Sequence, residues 1–232
     1  RKFEAELGAT KPLEAWQYLG APIVDFTSKY EPEDRSVTKQ EAFNMSGLDG
    51  EAFAELGKLA LLGGWALRVL IESMGLQLWD LKWEFAKDGD ELVFVDTIDT
   101  DSFRATAILE DGGDRFAIHF NKQAMRDYYQ IAHADWLDAI NAAKNEARAS
   151  GTPFVDVLRA AQAAGTAPAD PDVDGDFMAI QTDKMNAIKD GILGRKERSQ
   201  VAEALEDCGQ RELAFYSNAG FRDALKQING IA

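Results

Sequence analysis

The sequence predicts an α+β fold, with antiparallel β-hairpins packed with helices over residues 1–120 and a helical C-terminal extension over 121–232. Three observations carry that expectation. Two apolar runs flank Asp88-Gly89-Asp90, and Asp-Gly between such runs is a strong short-range hairpin signal. A second pair of runs flanks Asp111-Gly112-Gly113-Asp114. Beyond residue 121 the apolar positions recur at three- and four-residue steps, the period of an amphipathic helix.

The elements follow in order. Pro22 to Lys29 alternates after a proline and reads as a strand, ending in the charged loop Tyr30-Glu31-Pro32-Glu33-Asp34-Arg35. Thr38 is placed to cap a short helix, with Glu41 as the return partner of a capping box. Asp49 to Met74 is a helix with one broad apolar face (Phe53, Leu56, Leu59, Leu67, Leu70, Ile71), stopped by Gly75. The Gly63-Gly64 pair inside it costs about 1 kcal/mol per glycine against alanine, which points to close packing on another element. It is not a phosphate loop, having neither a strand-to-helix turn nor a following lysine. Leu76–Phe85 is expected to pair with Glu91–Ile98, and Arg104–Leu109 with Arg115–Phe120. Helices are expected over Lys122–Ile131, Asp135–Ala149, from Pro153, over Asp176–Leu193, from Ser199, and over Phe221–Ile228. The stretch from Ala163 to Pro171 is the best linker.

Composition narrows the function classes. The 232 residues carry 25 Lys and Arg against 40 Asp and Glu, a net charge of −15, so nucleic acid and anionic membrane are poor partners. One cysteine, Cys208, excludes an internal disulfide or a multi-cysteine zinc site and fits a reducing, cytoplasmic location. The richest apolar stretch, Leu59 to Ile71, is broken by Gly63, Gly64 and Arg68, so no membrane span is expected, and no signal peptide is read.

The chemistry-bearing residues cluster around the first hairpin. Strand alternation puts Asp80, Lys82 and Glu84 on one face, opposite Leu81, Trp83 and Phe85, and Asp96, Asp99, Asp101 and Arg104 follow directly. Carboxylates suit a hard cation such as magnesium, while Lys and Arg neutralise phosphate. A solvated face of an antiparallel sheet gives the same alternation.

Other features read as structural. Asp170 to Asp176 imitates a calcium loop, but its twelfth position is Gln181, so an acidic loop and helix N-cap is expected. His119 and His133 have no zinc-like spacing, and Cys208 has no nearby histidine. The five tryptophans, at 16, 65, 79, 83 and 136, read as packing residues.

Several segments, in order, carry a family resemblance. They are Pro22 to Arg35; Gly75-Leu76-Gln77-Leu78-Trp79-Asp80-Leu81-Lys82-Trp83-Glu84-Phe85; Leu92-Val93-Phe94-Val95-Asp96; Thr100-Asp101-Ser102-Phe103-Arg104; Phe120-Asn121-Lys122-Gln123-Ala124-Met125-Arg126-Asp127-Tyr128; and, loosely, Asp183-Lys184-Met185-Asn186 onward. Together they resemble phosphoribosylaminoimidazole-succinocarboxamide synthase (SAICAR synthetase), a ligase of purine biosynthesis. The resemblance implies that ATP activates the carboxylate of carboxyaminoimidazole ribonucleotide as an acyl phosphate, which the amine of aspartate then attacks. By the same resemblance Asp34, Glu84 and Asp96 would serve magnesium, with Glu84 and Asp96 also facing ATP. Asp80 and Lys82 would be catalytic and, with Asp101, Arg104 and Arg126, substrate-binding. Two departures stand out: Asp96 is followed by Thr97, and Thr100 stands where the family has proline before Asp101. The family's N-terminal nucleotide-binding lobe is expected to lie outside this chain, which begins at Arg1, leaving a missing N-terminal half or a second copy as partners. Two other classes stay open: a non-catalytic subunit, and a small-molecule kinase with Asp80 as base.

Overall fold

A computed structural model describes residues 11–19, 21–29 and 34–231. Tyr30, Glu31, Pro32 and Glu33 of the acidic loop lie outside them. The strand predicted over 22–29 is confined to β1 (Phe26–Thr27), because only there does a partner exist: β2 (Ser36–Val37) pairs antiparallel with it. The pair is extended by Ser28 N donating to Arg35 O at 2.8 Å.

Local signals set the next two helices. Thr38 Oγ1 accepts from Glu41 N at 3.2 Å and Glu41 Oε2 accepts from Thr38 N at 2.8 Å, the predicted capping box of α1 (Lys39–Ser46). Asp49 caps α2 (Gly50–Glu72) by accepting from Glu51 N and Ala52 N. Phe53 of α2 stacks on Phe26 and meets Phe43 edge-on, closing a small core with Val37 and Ala42.

The predicted hairpin of 76–85 with 91–98 divides into two sheets. β4 (Phe85–Asp88) pairs with β5 (Glu91–Phe94) around Gly89, whose φ of 60° suits the turn. β3 (Gln77–Leu81) leaves instead for β6 (Phe103–Asp111), with Asp80 opposite Arg104 and Leu81 opposite Phe103. The reason is Trp83, whose indole N–H reaches back to Ala60 O on α2 at 3.2 Å and turns the chain between β3 and β4. The glycine pair receives that turn: a Cβ on Gly63 would meet Phe94 at 3.1 Å and Trp83 at 3.4 Å, and one on Gly64 would meet Leu81 at 3.5 Å. Trp79 is the extra residue of a bulge between Leu78 and Asp80, its indole N–H donating to Thr106 Oγ1 at 2.7 Å.

The larger sheet has the order β3-β6-β7-β8, all antiparallel. β7 (Asp114–His119) returns from β6 through Gly112 and Gly113, with φ of 59° and 83°, and β8 (Gly230–Ile231) brings the end of the described chain alongside β7. Six helices follow β7, as expected: α3 (Gln123–Ala132), α4 (Ala134–Ser150), α5 (Phe154–Ala163), α6 (Gly175–Ile192), α7 (Arg198–Asn218) and α8 (Arg222–Asn229). One core joins Ile71, Leu76, Phe103, Phe116 and Ile118 to Tyr128, Phe177, Ile188, Leu205, Tyr216 and Leu225. Among the described residues no helix is long and apolar enough to cross a membrane.

Three carboxyls tie segments together by accepting hydrogen bonds. Asp114 is held below the usual carboxylate range first by Lys226 and then by Arg222, Glu41 by the Thr38 backbone and hydroxyl, and Asp170 by Gln162 and then Trp136. A depressed folded-state pKa gives stability that is complete above the unfolded value and is lost as pH falls through the folded one. The melting temperature is therefore expected to decline below about pH 4. Lys226→Ala/Arg222→Ala should soften that decline, and a profile with the same slope in both proteins would show that Asp114 contributes nothing.

Candidate functional site

The β3–β6 register positions the first pair. Arg104 donates from Nε to Asp80 Oδ1 at 3.1 Å, and its Nη2 lies 2.9 Å from Oδ2, a two-point fork at the open edge of the sheet. Both side chains are about half exposed, at 54% and 52%. One residue past β3, Lys82 N donates to Ser102 O at 2.7 Å, which carries the ladder to the loop before β6. The Lys82 ammonium lies 3.1 Å from Glu84 Oε1 and 3.4 Å from Asp34 Oδ2, and Lys29 also pairs with Glu84.

That loop is wound by its own side chains. Asp99 Oδ1 accepts from Asp101 N at 2.8 Å, and Ser102 Oγ accepts from Asp99 N at 3.0 Å. Lys122 fastens it to the start of α3: its ammonium lies 3.3 Å from Asp101 Oδ1, and its N–H donates to Thr100 O at 3.3 Å. Arg126 stands one turn further along the same helix face, exposed, its Nη1 3.5 Å from Gln123 Oε1.

The expected polar face is thus assembled differently. Asp80 sits on β3, paired with Arg104, whereas Lys82 and Glu84 lie in the segment between β3 and β4. Asp34 and Glu84 come together on one lysine. Asp96 lies one residue beyond the Val95 N to Glu84 O bond of 3.0 Å and turns its Oδ1 onto the Thr97 amide at 2.8 Å. Among the described residues no three His, Cys, Asp or Glu side chains gather as a metal shell.

The calcium-like loop is an N-cap and a tie. Asp174 Oδ1 accepts from Asp176 N and Phe177 N at the start of α6, and Asp170 accepts from Trp136 and Gln162. Cys208 is buried in the core, which raises its thiol pKa. Spacing alone did not find Lys29 or Lys122 as members of the site. It also missed the buried partners of His119, because Asp127 is eight positions away and meets it only through the fold.

The family profile of SAICAR synthetase matches residues 4–143. The chain belongs to the SAICAR synthetase family. A protein of Archaeoglobus fulgidus that carries the synthase name provisionally is 32% identical over 143 residues, 61% of this chain and 40% of its own length. Phosphoribosylaminoimidazole-succinocarboxamide synthases of Pyrobaculum calidifontis and Streptomyces coelicolor are 33% and 31% identical over 106 and 121 residues, covering 45% and 51% of this chain. The matched region spans about two fifths of the length of each relative (40%, 41% and 40%). No solved structure matches. Within the SAICAR synthetase match lie Asp34, both partners of the Asp80–Arg104 fork, Lys82, Glu84, Asp96, Asp101 and Arg126, while α5 to α8 lie beyond it.

Proposed function

We propose that this chain forms the substrate-side part of a SAICAR synthetase, joining the amine of aspartate to the carboxylate of carboxyaminoimidazole ribonucleotide at the expense of ATP. The observation that carries the reading is the Asp80–Arg104 fork beside Lys82 at the open sheet edge, within the segment matched by the family. In a protein of net charge −15, cations so placed give an anionic ribotide a local point of attachment.

The reaction needs one carboxylate oxygen to attack the terminal phosphorus of ATP, releasing ADP. The aspartate amine then attacks the acyl carbon, the C–O bond to phosphate breaks, and the amine proton passes to a base. Arg104 and Lys82 would hold and neutralise the carboxylate and phosphoryl oxygens. Asp80 would keep the Arg104 guanidinium oriented and lie next to the arriving amine. Lys122, paired with Asp101, and Arg126, one turn along α3, would meet the ribotide phosphate.

ATP and magnesium are the cofactors we propose on family grounds. Asp34, Glu84 and Asp96 do not by themselves form the ion's shell, since lysine ammoniums lie on two of them. Glu84→Gln and Asp96→Asn are nevertheless expected to abolish turnover while leaving the melting temperature within about 2 °C, because neither side chain is in the core. The assay is succinyl-amide formation from ribotide, aspartate and ATP by the intact protein carrying this chain. Wild-type turnover from either variant would remove these residues from the site. Phosphate transfer to a hydroxyl acceptor would instead make the protein a kinase, and neither product would leave a binding subunit.

A further inference from the structure

The two segments that carry the substrate-side residues are fastened from behind by the helices near the C-terminus. Asp127, next to Arg126, is 2% exposed. Its carboxylate accepts from Gln123 Nε2 at 2.9 Å and from Asn229 Nδ2 at 2.7 Å, and His119 Nδ1 lies 2.8 Å away. Those partners come from α3 itself, from α8 and from β7, so they fix the rotation of the first turns of α3 and with it the outward direction of Lys122 and Arg126. Adjacent residues of α6 hold the other side. Lys184 Nζ donates to His119 O at 2.7 Å, while Met185 Sδ accepts from Thr100 Oγ1 at 3.1 Å, beside Asp101. Asn121, the residue before Lys122, is buried, with both amide atoms lacking a partner among the described residues.

We propose that α6 and α8 act as a positioning clamp: Asn229 through Asp127, and Lys184 with Met185 through His119 and Thr100, set where Lys122, Arg126 and the Asp101 loop stand. Asp127, Lys184, Met185 and Asn229 are positioning residues. They touch no reacting atom, and the ligase reading enters only as what the clamp serves.

Asn229→Ala in the full chain tests it. Amide exchange across the first two turns of α3 should quicken by about tenfold or more, with the β4–β5 hairpin and α4 unchanged. In the turnover assay the ribotide KM should rise by about tenfold while kcat stays within about twofold. Met185→Ala, at a half-exposed position, should quicken exchange at Ser102 in the same selective way, and serves if Asn229→Ala fails to fold. Unchanged exchange in α3 and the loop, or faster exchange spread evenly over the molecule, would overturn the clamp. So would local loosening with KM and kcat both unaltered. If the wild-type protein makes no succinyl-amide, the ligase reading falls while the exchange result still decides the clamp.

Discussion

Lys184→Met should destabilise the protein by about 3–5 kcal/mol, the usual cost of stranding one partner of a buried ion pair. Lys184 and Glu212 are 2% and 3% exposed, with Nζ 2.5 Å from Oε2. The ammonium also lies 4.4 Å from the centre of the Phe120 ring and donates to His119 O. Methionine fills much the same space but leaves Glu212 with Gln181 as a donor and no cation. The melting temperature should fall by about 10 °C. Lys184→Met/Glu212→Leu should recover most of that loss, since an apolar pair often replaces a buried ion pair at little cost. A single variant that melts like the wild type would mean that the pair is solvated in solution.

Arg104→Ala is the second large effect, and it should fall on activity. The guanidinium makes two contacts to Asp80 at an exposed edge, so its loss costs little stability. As the group that would meet charge developing on the substrate, it should lower kcat/KM by about 100- to 1000-fold. Arg104→Lys keeps the charge and loses the fork, so it should recover only part of the rate. Steady-state kinetics with ribotide as the varied substrate checks both. Equal loss in Arg104→Ala and Arg104→Lys would assign the role to geometry, and no loss in either would remove Arg104 from the site.

Much of the fold was legible because its signals are local. The Thr38–Glu41 capping box, the Asp88-Gly89-Asp90 turn and the Asp174 cap are each decided within four residues of sequence. The close approach at Gly63-Gly64 was legible as a cost that needed a reason. Strand pairing was not. Alternation says which residues share a face but not which strand lies alongside, and nothing in Leu76–Phe85 announces that Trp83 turns back to Ala60. β8 is two residues long, too short to carry any period.

The candidate site was legible in membership more than in arrangement. Asp80 and Arg104 were both found, yet their pairing depends on a register set by the bulge at Trp79. Glu84 and Asp34 were grouped as acids, and the structure adds the lysines that lie on them. The clamp behind the site could not be read, because Asp127 and Asn229 lie 102 positions apart.

Ribotide turnover tests the proposed role of the Asp80–Arg104 fork most directly. Succinyl-amide formation should be measured for the intact protein beside its Arg104→Ala variant, with melting curves recorded for both. Product from the wild type, nearly none from the variant, and coincident melting curves are the expected result. Absence of product from the wild type, or equal product from a variant that has lost the guanidinium, would contradict the assignment.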